Sequence, residues 1–366
     1  MKNLKFILVI ITGSTLISCV GSNDKKNAPS TPYNEIQLVN HSTDFVYAAE
    51  QSIDAVVHIK SKIIQNSIYR YYDPFSDFFY GNGYKYYNKP QEKNASGSGV
   101  IISDDGYIVT NNHVINDATA IEVVLNDKRV YEAEILGVDP TTDLALLKIN
   151  ANELKAINLA NSDDVKVGQW VIAVGNPFNL NSTVTAGIIS AKARNLNLLQ
   201  NPHAIESFLQ TDAAINAGNS GGALVSIKGE LIGINTAIQS NTGSYTGYGF
   251  AIPSNMVKKI VSDLKKYGQV KRAFIGIQIT EINSDISRKL KLKNNDGILI
   301  TKIIDGGAAS VGGVEELDVL IAIEGITINS VASLQEQVSK YSPGDIVQCR
   351  IIRNNKEIEI TLDLTE

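Results

Sequence analysis

Apolar and polar residues alternate along this chain in short stretches, with Gly, Asn and Asp between them. One set of such stretches lies at 99–102, 107–110, 121–125, 131–138 and 144–149. After a polar break at 161–168 a second set follows at 170–175, 184–193, 223–225, 231–237 and 248–252. Period-two patterns this short, punctuated by turn residues, predict β-strands, and two sets of about six predict a pair of β-barrels. The period then changes. Val257, Ile260, Val261 and Leu264 fall at helical spacing, Ser254 stands where an N-cap would, and Gly268 follows Lys265 and Lys266 as a stop. Beyond it, strand patterns at 274–280, 298–303, 319–323, 346–353 and 358–364, with a helix at 333–341, predict an α+β unit over 269–366. Roughly a hundred residues suffice for a core of its own. Ahead of the barrels lie an amphipathic stretch at 44–53 and a short strand pattern at 55–60.

The first residues follow different rules. Lys2 and Lys5 precede an apolar run over 6–17 that Thr12, Gly13, Ser14 and Thr15 dilute. It is shorter than the roughly 20 residues a spanning helix needs, and it reads as an export signal over 1–18. Leu16-Ile17-Ser18-Cys19 resembles the bacterial lipobox, which implies cleavage before Cys19 and lipidation of its thiol. Two or more acyl chains hold a protein stably on a membrane. Val20 and Gly21 lack the Asp associated with inner-membrane retention, which favours the outer membrane. Residues 19–42 are polar and aperiodic, as in a flexible tether, and 43–268 then carry the paired barrels. Ten aromatics crowd 69–87, inside an insertion at 66–94, which could serve as an edge cover, a partner surface, a substrate-contacting lid or an Ω-loop without a role.

Composition narrows the classes. A length of 366 residues predicts two or three domains, and 33 basic against 38 acidic residues lack the dense positive field that nucleic-acid binding requires. Two cysteines exclude a disulfide scaffold and a multi-cysteine zinc site; neither a metal nor a cofactor is expected. Cys349 alternates within an apolar run and reads as a packed strand residue.

Candidate chemistry gathers on three residues. Gly218-Asn219-Ser220-Gly221-Gly222 lies between two strand patterns. A serine hydroxyl needs a neighbouring base to become a nucleophile, and an oxyanion needs aimed N–H donors, which glycine-rich backbone can point into one hole from Gly218, Asn219 and Ser220. Of four histidines, His41 falls in the tether, His58 alternates within an apolar strand and His203 follows Pro202 in a polar loop. His113 ends a strand running into a turn, where a side chain can face a cleft. Asp143 is pinned against a buried strand and needs hydrogen-bonding partners. Taken singly, each has a bland alternative: a Gly-Ser turn, a structural histidine, a satisfied buried acid.

Taken together, His113, Asp143 and Ser220 follow the chain order of the chymotrypsin-type triad. The sequence resembles the HtrA (Do/Deg-type) serine proteases from about residue 43 to the end. The motifs are 98–102, Thr110-Asn111-Asn112-His113-Val114, Thr142-Asp143-Leu144-Ala145, Gly175-Asn176-Pro177-Phe178, 211–222 and 249–253. The resemblance implies a mostly β, chymotrypsin-like double β-barrel followed by a small α+β PDZ domain. Ser220 would be the nucleophile, His113 the proton carrier and Asp143 its orienting acid. Ala214 stands where trypsin has an Asp, so Ile215, Ala237 and Ile238 imply an apolar S1 pocket. Asn219 replaces the Asp that digestive proteases pair with a new N-terminus, which argues for control by ordering of the loops at Gly218 and 195–203.

Phe274-Ile275-Gly276-Ile277 resembles the carboxylate-binding loop of HtrA-type PDZ domains, with Leu334 and Val338 on the opposite wall. The bland alternative is that the same stretch is core of a small β-domain without a ligand. Leu317 occupies a turn position where the family commonly has Gly. The family further implies a homotrimer through N-terminal aromatics such as Phe45 and Tyr47. It also implies ATP-independent cleavage of unfolded exported proteins on the periplasmic side of the cell envelope, with C-terminal peptides as PDZ partners. A holdase that binds non-native chains without cutting, and a narrow stress-sensor protease, are the competing expectations.

Overall fold

Apolar side chains on alternate positions close the first set of strands into a barrel. The computed structural model describes residues 45–72, 84–177, 182–196, 199, 204–216, 218–238 and 247–366, with backbone alone for 65–72, 84–92, 237 and 238. Strands β1 (Val56–Tyr72), β2 (Tyr84–Ile101), β3 (Tyr107–Asn111), β4 (Ala120–Val124), β5 (Val130–Asp139) and β6 (Leu144–Ile149) pair in the order β1-β2-β3-β6-β5-β4 and close. A second closed barrel, β10-β11-β12-β9-β8-β7, is built from β7 (Trp170–Gly175), β8 (Thr183–Arg194), β9 (Phe208–Thr211), β10 (Ala223–Ser226), β11 (Leu231–Ile238) and β12 (Gly249–Pro253). Closure leaves no unpaired edge.

Several strands are apolar on both faces because they serve two cores. Ile108 and Leu147 fill the first barrel, while their neighbours Val109 and Leu146 turn outward into a core shared with Ile172, Val174, Ala223 and Phe250 of the second. The helix expected from period 3.6, α3 (Ser254–Tyr267), seals that shared core with Met256, Val257, Ile260 and Leu264. Among the described residues, α1 (Phe45–Ser52) and α2 (Asn112–Ile115) are the other α-helices of this part. Gly268 ends α3 at φ 70° and donates to the Leu264 carbonyl, as a left-handed stop does. Its start differs from expectation: Pro253 occupies the N-cap, and Ser254 Oγ donates to the Ala160 carbonyl instead.

The strand expected at 55–60 continues to Tyr72, and the β1–β2 ladder runs out to Tyr72 opposite Tyr84. The backbone of the aromatic segment thus forms the arms of a long hairpin. Residues 73–83, the tether and Cys19 lie outside the described residues.

The carboxy-terminal sheet is ordered β13-β14-β15-β17-β18, with β16 (Ile326–Thr327) on β15. Its strands are β13 (Ile277–Glu281), β14 (Ile298–Ile303), β15 (Val319–Ile323), β17 (Ile346–Arg353) and β18 (Lys356–Asp363). The strand expected from 274 begins at Ile277, because Gly276 takes φ +80° and Phe274 only bridges Thr365. Two short helices escaped the periodicity, α4 (Ser284–Leu290) and α5 (Ala308–Val311). Helix α6 spans Val331–Ser339, two residues earlier than expected, because Ser330 and Ser333 cap each other's backbone N–H groups. Leu317 adopts the glycine-like φ of 73°, and the turn is held by Asp318, which accepts from Arg353 at 2.8 and 2.6 Å. Cys349 is buried on β17, and burial pushes its thiol up to about 12. Polar links between this part and the preceding domain include Arg272 to Asp139 at 2.6 and 2.7 Å, Ser207 Oγ to Glu336 at 2.6 Å, and Lys340 to Asp163.

Candidate active site

Strand β3 delivers His113 into the first turn of α2, where its side chain is half exposed. The return from β5 to β6 delivers Asp143. That turn is built on Asp139, whose carboxylate accepts the hydroxyls of Thr141 at 2.7 Å and Thr142 at 2.6 Å. Asp143 then sits in the left-handed region at φ 61° and points its buried carboxylate at His113. Three donors satisfy it: the His113 N–H at 2.9 Å, the His113 Nδ1–H at 2.7 Å and the Thr236 hydroxyl at 2.8 Å. A carboxylate this buried is costly unless so paired, and the Nδ1 bond fixes which ring nitrogen carries the proton. Nε2 is thereby left to accept. Thr236 belongs to β11, so the second barrel braces the acid of the first.

Ser220 lies in the glycine turn between β9 and β10. Its carbonyl accepts the Ser98 N–H of the first barrel at 2.8 Å, and Gly221 and Asn235 lock the turn to β11 through 2.8 and 2.9 Å bonds. Gly221 has φ +83°, and a Cβ there would lie 2.1 Å from the Ser98 carbonyl oxygen, so only glycine lets the turn approach. A Cβ on Gly97 would touch Val114, next to His113, at 2.7 Å and the Ser220 carbonyl at 3.1 Å. Val114, the residue after His113, and the Ser220 carbonyl therefore both lie close to Gly97. Among the described residues the Ser220 hydroxyl makes no hydrogen bond to the His113 imidazole, whose Nδ1 is held by Asp143.

Of the three residues expected to form an oxyanion hole, Asn219 is turned away: its N–H donates to the Asn216 carbonyl at 3.0 Å. The N–H groups of Gly218, at φ +96°, and of Ser220 meet no protein acceptor among the described residues. Ile215 is buried against Gly249, where an added Cβ would sit 2.9 Å from its side chain. Ala237 and Ile238 lie on β11, with side chains outside the description.

All six residues expected in the carboxylate-loop groove line one cavity of about 970 Å³: Phe274, Ile275, Gly276, Ile277, Leu334 and Val338. The Ile275 and Gly276 carbonyls are taken by Ala309 at 2.8 Å and Ile304 at 2.9 Å, while their N–H groups meet no acceptor among the described residues. Thr141 and Ile205 of the barrels also line it. Thr236, Ser98 and His58 also matter to the cleft, and no role was legible for them in the sequence: His58 alternates in an apolar strand, Thr236 follows Asn235 in another, and Ser98 opens the 98–102 motif without a function of its own.

Two closed antiparallel barrels that share an Asp–His pair and a serine on a glycine turn, followed by a small groove-bearing sheet, define a chymotrypsin-like fold joined to a PDZ domain. Comparison with known families agrees, matching a trypsin-like peptidase domain over residues 97–234 and a PDZ domain over 273–364. The chain is 43% identical over 302 residues to a probable periplasmic DegP-like serine endoprotease of Chlamydia trachomatis, covering 81% of this chain and 60% of that protein. Against the protein of the same description in Chlamydia pneumoniae it is 38% identical, covering 100% of this chain and 78% of the relative. The solved HtrA-type protease AlgW with a tripeptide superposes with a TM-score of 0.63 at 34% identity, over 87% of this chain and 96% of that one. The chain belongs to the HtrA-type, DegP-like family of serine endoproteases.

Proposed function

We propose that the protein is an ATP-independent serine endopeptidase of the periplasm that cleaves unfolded or locally frayed proteins. The observation that carries this reading is the Asp143–His113 pair, braced from the second barrel by Thr236 at 2.8 Å, with Val114 beside His113 and the Ser220 carbonyl both close to Gly97. In the reaction Ser220 Oγ attacks the scissile carbonyl while His113 Nε2 takes its proton, and Asp143 holds Nδ1–H and stabilises the imidazolium. The oxyanion forms against the Gly218 and Ser220 N–H groups. The imidazolium then protonates the leaving amine, and water, activated by the same ring, releases the acyl group from Ser220. Ile215 filling the space beside Gly249 supports a shallow apolar P1 site. The cavity beneath Phe274–Ile277 takes the carboxylate end of an apolar peptide, whose strand adds beside β13. Lipidation of Cys19 holds the chain on the periplasmic side of a membrane, the outer one favoured, and the assembly is a homotrimer in which Phe45 and Tyr47 take part.

The test compares the chain with Ser220→Ala on denatured and folded casein-like substrates, with and without C-terminal peptides, alongside fluorophosphonate labelling. Cleavage of denatured substrate and labelling that both vanish in Ser220→Ala are expected. Binding of denatured substrate without cleavage would establish a holdase instead, and cleavage confined to one peptide-triggered substrate would establish a narrow sensor. A Cys19→Ala variant that still partitions with membranes would remove the anchor.

A further inference from the structure

His58 on β1 and Ser98 on β2 stand directly opposite each other in the ladder, and both are closed off from solvent. Together they reach out of the first barrel to one residue of the second. His58 Nδ1–H donates to the Asn176 carbonyl at 2.7 Å, and the Asn176 N–H donates to Ser98 Oγ at 2.8 Å. The same hydroxyl donates onward to the Gly218 carbonyl at 2.6 Å, while the Ser98 N–H holds the Ser220 carbonyl at 2.8 Å. The proton positions are unambiguous, because an N–H only donates and a carbonyl only accepts. Asn176 follows Gly175, which packs so closely on Asn219 that a Cβ would fall 2.2 Å from its side-chain oxygen. Residues 175–176 are therefore a floor under the 218–220 turn, and His58 and Ser98 hold that floor and the turn together.

The consequence lies in one peptide plane. The carbonyl of Gly218 rests on Ser98 and the N–H of Asn219 on Asn216 at 3.0 Å, so the plane is gripped at both poles. It separates the two N–H groups aimed at the oxyanion. Gly218, without a Cβ, has little steric resistance to rotation, so its orientation must come from outside. We propose that His58 and Ser98 are positioning residues, a cross-barrel clamp that aims the Gly218 and Ser220 N–H groups without touching substrate. This rests on the reading of Ser220 as the nucleophile.

The test measures kcat and KM of the full chain on a chromogenic peptide with an apolar P1 residue, with thermal unfolding of each variant. Loss of one oxyanion donor lowers kcat about 10²–10³-fold. A donor left in place but misaimed should cost less, about 10- to 100-fold, in His58→Leu and Ser98→Ala, with KM changed by less than about 2-fold. His58→Asn places an amide nitrogen at the position of Nδ1 and should retain kcat within about 3-fold. Ser98→Ala removes a single oxygen, so it carries the test if His58→Leu does not fold. Folded Ser98→Ala with wild-type kcat overturns the clamp, as does a His58→Asn variant as impaired as His58→Leu, or a loss confined to KM. Wild-type turnover no higher than that of Ser220→Ala overturns the peptidase reading instead, and the clamp with it.

Discussion

Replacing Thr236 by Val removes one hydroxyl from the back of the cleft while keeping the side chain's shape. In the wild type that hydroxyl gives Asp143 Oδ2 a 2.8 Å bond across the two barrels, and both residues are buried. Water cannot take its place, so the full effect of a hydrogen bond to a charged group applies, about 1.5–3 kcal/mol. Asp143 keeps two donors, both from His113, which places the expected loss near the lower end, about 2 kcal/mol. For a domain of this size that corresponds to a fall in Tm of about 4–8 °C. The effect on turnover should be smaller. Removing a neutral donor leaves the carboxylate more charge to offer the imidazolium, so only orientation is lost, and kcat should fall by no more than about tenfold, or about 1.4 kcal/mol. Urea and thermal unfolding, read beside steady-state kinetics, separate the two effects. Thr236→Ser should restore both. An unfolding midpoint unchanged to within about 0.5 kcal/mol would refute the reasoning, since the bond would then be worth no more than its exchange with water.

Gly221→Ala meets the Ser98 carbonyl at 2.1 Å in a left-handed conformation and should destabilise by about 3 kcal/mol or more, whereas Gly168→Ala, at φ +86° with open space around it, should cost about 1 kcal/mol by the same unfolding assay. Burial disfavours protonated His58, so its stabilising contribution is present above the unfolded imidazole value of about 6.5 and is lost as pH falls below it. Unfolding measured between about pH 5 and 7 should therefore show a rise of stability with pH that flattens in His58→Asn. Glu336 has the opposite sign: burial raises its carboxyl despite Lys340 and Lys192, so its contribution is present below 4.5 and fades as pH rises through the raised value. Glu336→Gln, which can still accept from Ser207, should be at least as stable as wild type at neutral pH and lack that slope. Arg272→Met leaves buried Asp139 with only its threonine partners and should cost about 3 kcal/mol in the unfolding midpoint.

Much was legible in the residue order because its causes are local. Strand alternation, the 3.6-residue spacing of α3 and the glycine that stops it act within a few residues, so barrels, helix and sheet could be read without coordinates. The shortage of histidines made His113 the candidate base, and Asp143 announced itself as an acid against an apolar strand. Where a polar cap outweighed periodicity, as at Ser330, or where a glycine bent the chain, as at Gly276, element ends moved by two or three residues. The tertiary fold alone decided the rest. Barrel closure brings Thr236 to Asp143 and Ser98 to Gly218 across 93 and 120 residues, and turns the Asn219 N–H away from the cleft. None of these three leaves a periodic trace, because a single hydrogen bond between distant strands depends on where the strands are placed, and that placement is set by the shared apolar core between the barrels.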